Sequence, residues 1–211
     1  MTRSDKNAPV NRRQMFGQSA GLFGELLGQF LGAVEETRSQ LGGGFDEPWS
    51  LDPSRGLLRP PGAVAEQEFR RLCDACDACI KACPEGVLFR APVDSGDEAF
   101  RPIFDPGRKA CFICSELHCI GACDRGALVR PPSVGQLAMG KARIDPSVCV
   151  AHEGVACSAC AASCPLPEPA IVMLGEFPLV KALACVGCGL CEETCRAATG
   201  RRAIVTLARL S

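Results

Sequence analysis

Sixteen cysteines in four groups of four are the residues of this 211-residue chain whose type and spacing can do chemistry. The first group, Cys73, Cys76, Cys79 and Cys83, is spaced C-x2-C-x2-C-x3-C and followed by Pro84. The second, Cys111, Cys114, Cys119 and Cys123, has four residues in its middle gap. The third, Cys149, Cys157, Cys160 and Cys164, has seven residues in its first gap and Pro165 after it. The fourth, Cys185, Cys188, Cys191 and Cys195, repeats the spacing of the first. This is an internal repeat with no cysteine left over.

A cube of four irons and four sulfides needs one thiolate at each iron. Three cysteines within one tight loop reach three corners, while backbone N–H groups turn toward the sulfides. In two-cluster ferredoxins the fourth cysteine of the run serves the other cluster. Each quartet therefore needs a partner quartet, and the expected cofactors are four [4Fe-4S] clusters on all sixteen cysteines. Pairing quartets of like spacing gives a nested arrangement. Its four sets are Cys73, Cys76, Cys79 with Cys195; Cys185, Cys188, Cys191 with Cys83; Cys111, Cys114, Cys119 with Cys164; and Cys149, Cys157, Cys160 with Cys123. Sequential pairing is the alternative.

Other uses of the thiols fit less well. Disulfides give no reason for three thiols in seven residues, repeated along the chain. Structural zinc uses C-x2-C pairs separated by a longer span, and the regular quartets carry one cysteine too many for it. With only His118 and His152, no site can be built on several imidazoles. The formal net charge of −1 and the lack of a long basic run argue against nucleic acid as a partner. No uninterrupted run of 18 apolar residues is present to span a membrane. The chain has no Tyr, one Trp and 5% aromatics, so rings alone cannot build its core.

Short apolar runs bounded by Gly, Pro and Asp must position the cysteine loops, and they read as strands. They follow the quartets at Gly86–Arg90, Gly126–Arg130, Ala170–Leu174 and Ala203–Leu207, and precede the last three at Pro102–Asp105, Ala142–Asp145 and Leu179–Lys181. Strand, loop, short helix and strand, repeated, is an α+β plan: four cluster-binding units forming two ferredoxin-like two-cluster modules over residues 57–211. Glu66, Glu68, Glu192 and Glu193 read as solvated helix faces. His118 and His152 read as solvent-facing, and Arg201, Arg202 and Arg209 as solvated surface.

Residues 1–56 form a cysteine-free leader, with a helix expected from about Gly17 to Glu36 and a Gly/Pro-rich linker after it. On the helix, Phe16, Ala20, Phe23, Leu27, Phe30 and Val34 share an apolar face suited to docking a partner or a membrane surface. Arg12-Arg13 followed by a hydrophobe resembles a twin-arginine export signal, which would place the protein in the periplasm. Glu25 inside the apolar stretch and Glu35-Glu36 at the cleavage position favour the cytoplasm or the cytoplasmic face of a membrane.

Leu58-Arg59-Pro60-Pro61-Gly62-Ala63, then Glu68-Phe69 and the first quartet, resembles the NapG/MauM-type polyferredoxins. So do the second quartet followed by Gly126-Ala127-Leu128, Met139-Gly140, and the seven-residue gap ending at Gly154-Val155-Ala156-Cys157. The resemblance covers roughly residues 57–207. It implies a non-catalytic electron carrier between a redox donor and an acceptor oxidoreductase, with a membrane quinol-oxidising protein as a possible donor. The alternatives are a maturation factor that reduces a client enzyme, or an electron-transfer subunit of a molybdenum oxidoreductase. Asp124 and Arg196 depart from the family by replacing Pro after the second and fourth quartets.

Overall fold

Between the cysteine loops the sequence leaves apolar runs of only three to five residues, long enough to pair once and no more. In the computed structural model, which describes residues 55–209, these runs form three two-stranded antiparallel sheets. Strand β1 (Phe89–Arg90) pairs with β2 (Pro102–Ile103), β3 (Gly140–Ile144) with β6 (Ile204–Ala208), and β4 (Ile171–Leu174) with β5 (Phe177–Val180). The described residues also form five short α-helices: α1 (Glu66–Leu72), α2 (Ala78–Ala82), α3 (His118–Gly121), α4 (Ala159–Ala162) and α5 (Leu190–Thr199). The fold is mixed helix and strand, with ferredoxin-like cysteine-rich segments. The leader helix expected between Gly17 and Glu36 lies outside the described residues. Among those residues no helix is long and apolar enough to cross a membrane.

One pairing plan occurs twice. In residues 140–208 the hairpin β4–β5 is enclosed by the outer pair β3–β6, with Gly140 opposite Ala208 and Ile144 opposite Ile204. In residues 62–129 the hairpin β1–β2 is enclosed by a single bridge between Ala63 and Leu128. Two bonds extend this bridge, Val64 N–H to the Ala127 carbonyl at 3.1 Å and Val129 N–H to the Gly62 carbonyl at 2.7 Å. The strand expected over Gly126–Arg130 is thus reduced to one bridge. Its partner segment begins with Pro60 and Pro61, which have no N–H to donate, and enters α1 at Glu66.

Helix α1 shows how the small core is held. Acidic residues in its first turn and basic residues in its last complement the helix dipole. Its Phe69 is fully buried, packed with Leu58 and Phe104 in the main apolar cluster. The guanidinium of Arg59 lies 4.7 Å from the Phe69 ring centre and binds the carboxylates of Glu66 and Glu98. Phe69→Ala is expected to cost about 3–5 kcal/mol from lost burial and the cavity left behind. Thermal or denaturant unfolding checks this; an unchanged midpoint would show that the ring is not the local anchor.

Candidate metal centres

The cysteine loops have an unusual backbone. Among the described residues five non-glycine residues have positive φ, and four of them lie inside these loops: Ala75 (φ 56°), Asp77 (65°), Ile113 (48°) and Leu117 (49°). A β-branched residue such as Ile113 avoids this region unless its surroundings impose it. The fourth quartet has Gly187 (φ 76°) and Gly189 (84°) at the positions matching Ala75 and Asp77. Left-handed residues placed between right-handed ones turn successive N–H groups toward one concave side, a nest that suits an anionic group such as an iron–sulfur cluster. Asp77 tolerates the left-handed region better than most residues, and Arg90 of β1 holds its carboxylate.

The loops and helices gather the sixteen thiols into four sets. In site one, Cys73, Cys76, Cys79 and Cys123 line a cavity walled by Phe69, Pro102 and Leu128. In site two, Cys111, Cys114, Cys119 and Cys83 line a cavity walled by Pro61, Leu88 and Leu117. In site four, Cys185, Cys188, Cys191 and Cys164 line a cavity walled by Ala142, Leu166 and Ile171. Site three is marked by Cys160, whose thiol feels the nearby thiols of Cys195, Cys149 and Cys157. Cys149 and Cys195 share a second small apolar cluster with Ala151 and Ala203, with Cys157 packed against it.

This grouping corrects the nested arrangement. Cys83 stands with Cys111, Cys114 and Cys119 rather than with Cys185, Cys188 and Cys191, and Cys123 stands with the first quartet rather than the third. Likewise Cys164 stands with the fourth quartet and Cys195 with the third, not with the second and first. The reason is topological. The outer strand contacts close residues 62–129 and 140–208 each upon itself, packing α2 against α3 and α4 against α5. Each fourth cysteine is thereby delivered to the neighbouring quartet in sequence.

The chemistry of the donors fits a cluster better than the other groups considered. All sixteen thiols are free. Backbone N–H groups point at sulfur: Val87 at Cys83 (3.4 Å), Ala142 at Cys185 (3.4 Å) and Ala170 at Cys164 (3.3 Å). Burial pushes the thiols of Cys79 and Cys111 up to about 12, with neighbouring thiols adding to it. Burial also raises Cys119, Cys160 and Cys188 to about 11. Such thiols keep their protons until a bound metal draws them off.

Other residues depart from or match their expected settings. Glu192 is 1% exposed rather than solvated. One carboxylate oxygen binds Arg55 at 2.5 Å and the other accepts the Thr206 N–H at 2.8 Å. Glu193 accepts the N–H of buried Ala110 at 2.7 Å. His118 and His152 face solvent, His152 stacking on Phe177 with ring centres 4.6 Å apart. Arg201 pairs with Glu153 at 2.5 Å. The left-handed loop residues were missed in the sequence, although Gly187 and Gly189 mark the matching positions when the first and fourth quartets are aligned.

Comparison with known proteins places the chain. The methylamine utilization ferredoxin-type protein MauM of Paracoccus denitrificans is 36% identical over 162 residues, covering 72% of this chain and 71% of that protein. MauM of Methylorubrum extorquens is 34% identical, covering 72% and 73%. The ferredoxin-type protein NapG of Escherichia coli is 35% identical over 151 residues, 65% of each chain. No family model matches the chain, and no solved structure gives a significant match. With its cysteine-rich α+β fold and this likeness over about 70% of its length, the chain belongs to the NapG/MauM family of ferredoxin-type proteins.

Proposed function

We propose that residues 57–211 form two ferredoxin-like modules holding four [4Fe-4S] clusters, and that the protein carries electrons between a redox donor and an acceptor oxidoreductase without a substrate site of its own. The observation that carries this reading is the gathering of sixteen free thiols into four four-thiol sets, with left-handed residues in the first, second and fourth cysteine loops. When bound, a four-iron cluster accepts and releases one electron at a time. The sixteen cysteines would supply the thiolates. The N–H groups of Val87, Ala142 and Ala170 lower the electron density on the sulfurs they face, and the apolar walls keep water away. Both are levers by which a protein tunes a cluster potential.

Iron and acid-labile sulfide analysis of anaerobically purified protein, with EPR after reduction, tests the reading. About sixteen irons per chain are expected from four four-iron sites. A colourless sample without labile sulfide would refute it. For the leader, the acidic residues Glu25, Glu35 and Glu36 support retention on the cytoplasmic side over export. Sequencing the N-terminus of the mature protein decides this: an intact Met1 or Thr2 in the cytoplasmic fraction is expected, and a cleaved periplasmic form would reverse it. Redox proteins are the partners that fit this function, including a membrane quinol-oxidising donor.

A further inference from the structure

The four sites do not follow one another in space as they do in sequence. Helices α2 and α3 pack together, setting the Cys79 thiol of site one near the Cys119 thiol of site two. Helices α4 and α5 pack together, setting Cys191 of site four near Cys160 of site three. The two halves meet where the Cys111 N–H donates to the Cys188 carbonyl at 2.9 Å, joining a ligand of site two to a ligand of site four. The spatial order is therefore one, two, four, three. Cys76 of site one is exposed, whereas the stretch from Cys185 to Gly189 in site four is buried throughout.

Residues that are not metal ligands add to this seam. Glu193, on α5 between Cys191 and Cys195, reaches across to the N–H of fully buried Ala110, the residue before Cys111. Beside it Glu192 binds Arg55, which also pairs with Asp105 at 3.4 Å. Gly189 lies against Pro106, so closely that an added Cβ would fall on the proline ring. Residues 105–111 of one half are thus clamped onto residues 187–193 of the other. Without the Glu193 carboxylate the Ala110 N–H would be buried and unbonded, a penalty that a shift of the segment can relieve.

We infer that Glu193 is a positioning residue which, through the Ala110 N–H, holds site two against site four and so couples the two pairs of sites. This rests on the reading that the sites hold clusters. The test uses the full chain, prepared anaerobically and reduced with dithionite, and compares Glu193→Ala, Glu193→Gln and Glu193→Asp. Iron and sulfide are counted first, then the spin–spin broadening and power saturation of the EPR signal are recorded. Glu193→Gln keeps an oxygen that accepts the Ala110 N–H and is expected to preserve the wild-type interaction. Glu193→Ala, and Glu193→Asp with its side chain one methylene too short, are expected to keep full iron and lose part of the interaction. An Ala spectrum identical to wild type, or a Gln variant that loses as much as the Ala variant, overturns the inference. Should the Ala variant fail to accumulate, the Asp and Gln variants decide: equal spectra overturn the inference and unequal ones support it. Absence of iron from the wild-type protein would instead overturn the cluster reading itself.

Discussion

Stripping iron from the anaerobically purified chain is expected to abolish its cooperative secondary structure. The described residues hold no element able to stand alone. The helices run from four to ten residues, whereas isolated helices shorter than about 12–15 residues are marginal in water. Every sheet has two strands, and an isolated hairpin is marginal as well. The left-handed residues Ala75, Asp77, Ile113 and Leu117 add strain that the surroundings must offset. Several cysteines are themselves core residues, so an empty site would remove packing as well as bonds. Metal binding and folding are then one equilibrium, as in structural zinc domains. Far-UV circular dichroism and thermal melting before and after chelation give the readout. A native-like spectrum with a cooperative melt in fully iron-free protein would show that the polypeptide holds itself together.

Replacing Cys123 by Ala is expected to open site one and leave site three intact. Iron content should fall by up to about four atoms, one cubane's worth. The decisive measurement is which thiols become reactive. After mild alkylation and mass spectrometry, Cys73, Cys76 and Cys79 should carry label in the variant, while Cys149, Cys157 and Cys160 stay protected. Label on the third quartet instead would restore the nested pairing and contradict the strand contacts that close residues 62–129 upon themselves. Cys195→Ala supplies the converse, exposing Cys149, Cys157 and Cys160.

The sequence alone determined the donor chemistry and the repeating unit. Sixteen thiols at loop spacing, with no imidazole cluster and few rings, leave little else for the chain to be built around. The strands around the quartets were legible because each is an apolar run between turn-forming residues. Six of the seven expected runs overlap an observed strand, the exception being the segment around Leu128 facing Pro60 and Pro61.

Only the tertiary structure decided which quartets exchange their fourth cysteine. Loop spacing is a local property: it fits three thiols to one site and is blind to where the next helix carries the fourth. That choice belongs to the long-range pairings of Ala63 with Leu128 and of β3 with β6. They favour sequence neighbours, in keeping with the tendency of consecutive elements to lie adjacent. The same blindness hid Glu192 and Glu193, two adjacent carboxylates on a short helix whose partners, Arg55 and the Ala110 N–H, lie 137 and 83 residues earlier in the chain. Side-chain type told what each residue can bind, and chain topology told what it can reach.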